Sequence, residues 1–498
     1  MSLRNPISFI TAAIFITLQG TTPGSTFQNT PPVILLAPAE ARLLPADYTY
    51  TIGNFTIEAL DAIVELNDNP GIADELQHFR SMKSPHLEIR SRSGNERYIF
   101  TDAVIGEFDG SRISSIAADE LQFVGHDEFA LFDVRITGLD LDASLSPGRT
   151  IIEKLSARGL SASGTVPIST GDVEIANLRY SLQPTSSRAP LRQSIVADLF
   201  RIEDLDVVKS VKTIQSGEEP FHLKINSIET STRQAGPDHE IADTKITGIT
   251  LARKETGETL SVSNVQLTGV PVSGPYTETT RIAVGPSRFS TEPSTVRLAS
   301  AVATIDPDEN ITFDIHQLSV PLDNLVSGNR MLDRFDFEDL TFSLTGTSTP
   351  DTGSGKSSGH IRLSENNLGS ATLTVDTRSG RDENGQRRTG IERIELVLSD
   401  RNAVSIAARL SGQDHESWKD SNKALASLLI PRVANLFHST NNLSAAFTDF
   451  LDGGRTLVLA ISPTPDKPLT LQGLNAARIN PGLIPGLFKS ITIEAFTN

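Results

Sequence analysis

This chain of 498 residues has no cysteine, one tryptophan, three methionines and five tyrosines. Without cysteine there is no disulfide framework, no thiolate metal site and no cysteine nucleophile. A chain of this length can leave disulfides out, because its core is large enough without them. Aromatic residues make up 6% of the chain and all apolar residues together 38%. A low apolar fraction fits either disorder or antiparallel sheets that bury one face only. Here the apolar positions are patterned, which selects the sheet. Positive charge is also in short supply: 44 Lys and Arg stand against 61 Asp and Glu, a net charge of −17. No basic cluster interleaves with aromatics, and the average field repels a phosphate backbone, so nucleic acid is not an expected partner. Arg381, Arg387, Arg388 and Arg393 lie beside Asp382, Glu383 and Glu392 and read as a solvated hairpin tip.

Long apolar runs are missing as well. The longest near the start follows Arg4 and spans Ile7–Leu18, 12 residues. Crossing a bilayer takes roughly 20, whereas a signal-peptide core is of this shorter length. Residues 1–41 therefore read as an export leader, cleaved either near 20–26 or after Ala39-Glu-Ala41. The alternative is an uncleaved signal anchor. The expected location is periplasmic or secreted, with membrane contact peripheral at most.

What the sequence does contain is alternation. Phe337-Glu-Asp-Leu340-Thr-Phe342-Ser-Leu344 has the period of two that marks a strand with one buried and one wet face. Four such stretches run into an [Ile/Leu]-Thr-Gly ending, at Gly138, Gly248, Gly269 and Gly346. Their unequal spacing argues against a regular solenoid. Short strands separated by turn signals are expected from 86 to 182, from about 199 to 320 and from 335 to 345. A Ser/Gly/Thr-rich segment, 346–359, reads as a loop or linker, and strands resume over 360–411. Helical spacing appears at 55–82 (Ile57, Leu60, Ile63, Val64), broken by Asn69-Pro70-Gly71. It recurs at 321–334, 418–436 and 443–451, the last closed by Asp452-Gly453-Gly454. The expected fold is mainly β: a long, irregular, curved antiparallel sheet, or two sheets, with a short N-terminal helical segment and a C-terminal helical cap at about 415–452. The expected divisions are 1–41, 42–345, 346–359 and 360–498. Phe129, Phe335, Phe337 and Phe342 are expected core positions.

No residue is assigned a catalytic, cofactor-binding or metal role. Thr349–Ser357 approximates a phosphate-binding loop, but Pro350 replaces the first glycine and a strand rather than a helix follows. Asp351-Thr352-Gly353 lacks the second triplet an aspartic protease needs. The His-containing acidic triplets (126–128, 238–240 and 414–416) show no ligand spacing and read as surface turns. Asp306-Pro-Asp308-Glu309-Asn310 lacks the glycine and terminal Glu of a calcium loop and reads as a hairpin tip. There is no G-x-S-x-G elbow.

The export signal, the missing cysteines and the many irregular strands go with phrases such as Val134-Arg-Ile-Thr-Gly-Leu-Asp-Leu141 and His360-Ile-Arg-Leu-Ser. Together with the helical insert before a last strand set, they resemble the AsmA-like and YdgA-like envelope proteins of Gram-negative bacteria, over residues 48–498. The resemblance implies a role in envelope integrity and, for the AsmA-like group, the movement of lipid along an apolar groove. Those families usually keep a transmembrane anchor. The expectation is a non-enzymatic exported envelope protein, without cofactor, whose one-sided apolar sheet binds or shields lipid or a partner strand. The alternative is a structural or adhesion β-sandwich with no small ligand.

Overall fold

The computed structural model describes residues 44–497 apart from connecting stretches, the longest being 67–78, 141–148, 184–191, 323–337 and 474–485. The leader and the expected helix at 321–334 lie almost wholly outside the described residues, as do Phe335 and Phe337. The protein is mainly β with antiparallel pairing. It divides into two compact units, Met1–Pro275 and Tyr276–Asn498.

In the first unit the strands are β1 (Leu44–Ile52), β2 (Phe55–Leu66), β3 (Phe79–Ser91), β4 (Arg97–Ile105), β5 (Arg112–Val124), β6 (Phe129–Asp140), β7 (Thr150–Ala157) and β8 (Gly159–Ala162). They continue with β9 (Ile168–Thr170), β10 (Val173–Gln183), β11 (Arg192–Val196), β12 (Leu199–Thr213), β13 (Gly217–Gly236), β14 (His239–Arg253) and β15 (Thr259–Ser273). Strands β1 to β6 pair in sequence order, as do β12 to β15. Inward residues of β2–β8, β10, β12 and β13 form one apolar cluster, each member 0–8% exposed. Phe129 belongs to it and stacks on Phe123 at 5.0 Å. A sheet curved enough to press its own inner face together supplies this core with strands alone.

The curvature has a local cause. Successive inward residues are separated by three positions instead of two at one level of each strand. The pairs are Ala59/Ala62, Ser84/Leu87, Phe100/Ala103, Ala118/Leu121, Leu131/Val134 and Ile202/Leu205. The registers bring Asp61, Pro85, Asp102, Asp119 and Asp133 into one row across β2–β6, and Asp204, Asn226 and Gly248 into a row across β12–β14. In alternate strands the second residue of the skipped pair is left-handed: Asp61 (φ 47°), Asp102 (51°), Asp133 (48°), Asp204 (50°) and Gly248 (62°). Asp and Asn enter this region more readily than other non-glycine residues, and because each row pairs one residue with one, the neighbouring strands slip together without a bulge. Gly138 (φ 62°) and Asn177 (50°) flank Glu153 in a parallel row across β6, β7 and β10.

This offset corrects two expectations. The helices expected in 55–82 are strands where described: β2 and the start of β3. The step of three at Asp61 turned a period of two into apparent helical spacing. Leu60 and Ile63, expected on a buried helix face, are 47% and 43% exposed. The [Ile/Leu]-Thr-Gly triplets are not strand endings either. Gly138, Gly248 and Gly269 lie inside β6, β14 and β15 with positive φ, and those strands continue beyond them.

The second unit begins with β16 (Thr280–Val284), β17 (Ser287–Thr291), β18 (Ser294–Ile305), β19 (Ile311–Pro321), β20 (Asp339–Pro350), β21 (Lys356–Glu365), β22 (Gly369–Arg381) and β23 (Arg387–Asp400). Helices α1 (Ala403–Ser411) and α2 (His415–Ala434), β24 (Ser439–Asn441), helix α3 (Leu443–Leu451), β25 (Thr456–Pro463), β26 (Leu469–Thr470) and β27 (Ile491–Thr497) complete it. Strands β18 to β23 pair in order, β23 pairs with β25, and β25 with β27. β24 adds to β27 in parallel.

Two further expectations fail in this unit. Residues 346–359 are not a linker, because Gly346–Pro350 and Lys356–Gly359 pair as strand. Ser and Thr read as loop composition, yet Thr is a good strand former, and hydroxyls pair across strands. Ala403–Ser411 is helix α1, not strand. Asp400 Oδ1 accepts a hydrogen bond from the Ala403 amide at 2.6 Å, Gly412 closes the far end at φ 73°, and alanine favours the helix between them. The expected C-terminal helices are present as α2 and α3, of which α3 packs on the sheet, with Gly453 beyond α3 at φ 115°.

Candidate apolar groove

In an antiparallel ladder, residues directly opposite each other share a face. Starting from Phe313 in β19, the registers carry one face through Ala303 and Ile282 on one side. On the other side it runs through Gly346, Ile361, Leu373, Leu396, Leu459 and Ala495. Rows led by Ile311 and Ile315 run beside it, through residues such as Val375, Ile394 and Leu363. The face is thus apolar from β16 to β27.

The opposite face is wet and internally paired. Thr304 and Thr312 hydroxyls lie 2.6 Å apart, the Ser358 hydroxyl donates to Asp376 at 2.8 Å, and His360 Nδ1 stands 3.3 Å from the Thr374 hydroxyl. Arg378 pairs with Glu392 at 2.8 Å. An apolar face backed by a polar one needs a cover on the apolar side only.

That cover exists at one end. Helix α3 sets Ala446 against Leu457 and Ala495, with Leu443, Phe447 and Phe450 against Leu398 and Leu459. Beside it, Ile391, Leu469, Ile491 and Ile493 close with Phe437. Beyond Val375 the cover stops. Ile282, Ile311, Ile361 and Leu363 are 40–42% exposed, against the 8% ceiling of the inner face in the first unit. Phe342, an expected core residue, is only half-buried here.

The uncovered part contains a groove of about 220 Å³ lined by Ile311, Phe313, Ile361, Leu373 and Val375, together with Thr347 and Ser348, with Gly359 in its floor. Two glycines shape it. A Cβ on Gly346 would stand 2.3 Å from the Phe313 ring, so the missing side chain lets that ring lie across β20. A Cβ on Gly359 would meet only backbone oxygens at 3.9 Å, so the missing side chain there leaves open space. At one end of the strands the face turns polar. Ser357 and Thr377 hydroxyls lie 2.6 Å apart, and those of Ser379 and Thr389 3.0 Å apart. At the other end Glu365, 5% exposed, accepts backbone amides of Thr341 (3.2 Å), Asn367 (2.6 Å) and Leu368 (2.7 Å).

The sequence motifs fall elsewhere. Thr349 and Pro350 end β20 while Lys356 and Ser357 begin β21, so the phosphate-loop look-alike joins two strands of a hairpin. Asp414 accepts the Ser417 amide at 2.9 Å, and Glu416 pairs with Lys419 at 3.0 Å, so triplet 414–416 starts helix α2. Glu240 of triplet 238–240 pairs with Arg179 at 2.8 Å, and Arg179 also pairs with Asp198. Burial opposes the Arg179 charge, but bonds from both carboxylates outweigh it and raise the guanidinium above its ordinary value. His126 lies outside the described residues. Asp306 accepts the amides of Asp308 and Asn310, so its carboxylate folds the β18–β19 tip; the Asn310 side chain does most to lower its pKa. Among the described residues no group of three or more His, Asp or Glu is placed to hold a metal ion. No helix among them is long and apolar enough to cross a membrane. The groove itself left no motif in the sequence; its only signal was alternation through a Ser/Thr-rich stretch.

Comparison with known proteins found no matching family model, no matching curated protein and no matching solved structure.

Proposed function

We propose that this chain is a non-enzymatic, exported envelope protein that shields lipid acyl chains on the apolar face of its second unit. One observation supports this above the others. A face that is apolar in register from β16 to β27 is covered by α3 at β23–β27 and left open over β16–β22. Exposed apolar area of that extent is costly in water unless something occupies it. The groove has no charged group among its lining residues, and that suits a hydrocarbon chain better than a polar metabolite.

The test is lipid content. Full-length protein, purified from the envelope without detergent exchange, is extracted with organic solvent and analysed by mass spectrometry, then titrated with cis-parinaric acid. Co-purifying lipid and saturable binding are expected. Gly359→Leu fills the floor of the groove and is expected to abolish most of that binding while leaving the melting temperature unchanged or raised. A lipid-free protein, or undiminished binding by Gly359→Leu, would overturn the reading.

The first unit favours a second reading for its own part. Over β2–β8 and β10 its inner face is satisfied by its own strands, as in a structural or adhesion module that holds no ligand.

A further inference from the structure

The second unit has another uncovered apolar surface. On α2, Leu425, Leu428 and Leu429 are 52%, 63% and 46% exposed. Their spacing of three and four places them on one side of the helix. The other side is occupied: Ala426 is buried, and Lys423 pairs with Asp452 just past α3. Helix α2 packs on α3 and α1 and makes no substantial contact with the sheet.

We propose that α2 is a lid for the groove, closing over β21 and β22 when no lipid is bound. Three observations combine here. The ridge and the groove are both apolar, both uncovered, and belong to one compact unit. The same sheet face is already closed by a helix at its other end, so a helix is the cover this fold uses. The dimensions also agree. Helices pack about 8–10 Å apart, and strands lie about 4.8 Å apart, so a helix beside another on one face sits roughly two strands away. Moving two strands from β25, which α3 covers together with β27, leads across β23 to β22, where Leu373 and Val375 line the groove. Lipid and leucine ridge then compete for one surface. The closure itself does not require the lipid reading; only the competition rests on it.

The absence of cysteine makes the test clean. Leu428→Cys is combined with Leu373→Cys on the groove face, or with Thr372→Cys on the opposite face as control, and full-length protein is oxidised with copper phenanthroline. The groove pair is expected to form an intramolecular disulfide at several-fold higher yield than the control pair, and dodecanoate is expected to bring it down to the control level. Leu428→Ser with Leu429→Ser, a surface change that leaves the core intact, is expected to tighten cis-parinaric acid binding several-fold. Equal yields for the two cysteine pairs, or unchanged affinity in the serine variant, would overturn the lid. So would leucine-dependent pelleting with phosphatidylglycerol vesicles in the absence of the disulfide, because the ridge would then face a membrane. A disulfide that forms in a protein unable to bind the probe would leave the lid standing and remove the lipid reading.

Discussion

A handful of residues with unusual backbone angles decide how the first unit curves. Gly248 has φ 62°, and a Cβ there would stand 2.2 Å from the Asn226 amide nitrogen. Gly248→Ala is therefore expected to cost about 1–2 kcal/mol, the penalty of the left-handed region for a residue with a Cβ. Asp102 has nearly the same conformation, φ 51°, with its own Cβ already in place. Asp102→Gly is expected to stay within about 1 kcal/mol of the parent, as relief of strain offsets the lost chain stiffness. Urea unfolding midpoints compare the two; equal losses would show that φ is not what these positions select. At this scale the sequence was readable in part. The repeated Thr-Gly was visible, but its meaning was not, because Asp and Asn serve the same backbone role in β2, β4, β6, β10 and β12. Three letters for one conformation hide a repeat that a single letter would display.

Elements were legible where a period held and obscured where it slipped. Strand β22 holds the alternation through Ala371, Leu373 and Val375 and was legible there, while β2 took on helical spacing through one skipped pair. Helix α1 was misread because Ala and Ile fit both periods over nine residues, and its starting signal, Asp400, sits at the end of a strand. Helix α2 carries a pH test. Hydrogen bonds from Ser417 hold the Asp414 carboxyl below its ordinary value. A carboxylate with a lowered folded value stabilises the fold above its unfolded value, and that contribution is lost as pH falls through the folded one. The first turn of α2 is accordingly expected to loosen in acid, below the usual aspartate range. Trp418, the single tryptophan, lies in that turn and reports it by fluorescence. Asp414→Asn should flatten the acid limb; an unchanged transition would assign it to another group.

Taken as a whole, the molecule spends its apolar residues unevenly. Strands β2–β8 and β10 of the first unit enclose them, whereas β14 and β15 leave theirs mostly half-buried and β16–β22 of the second unit leave one side to solvent. Hydrogen exchange should register the difference: amides of β4–β6 are expected to outlast those of β19–β22 by orders of magnitude, since protection follows local burial. Bound lipid should narrow the gap, and equal protection in lipid-free protein would contradict the open face. None of this unevenness was legible beforehand, because strands with the same alternation meet different fates. Phe129 and Phe342 look alike in sequence, and one is stacked in a core while the other is half-buried. What separates them is whether other strands close over that face, a property that no single strand encodes.

The skipped pairs across β2–β6 also constrain how such a chain can change. Neighbouring strands miss a beat at the same level, so the sheet has a frame that no strand can alter alone. Removing the codon for Asp102 would restore strict alternation in β4 but leave it one residue short of both partners, so that every distal pair falls out of register. Soluble yield is expected to collapse for that deletion and to survive one of equal size between β3 and β4. Insertions and losses in descendants of this sequence are thereby confined to the hairpin ends.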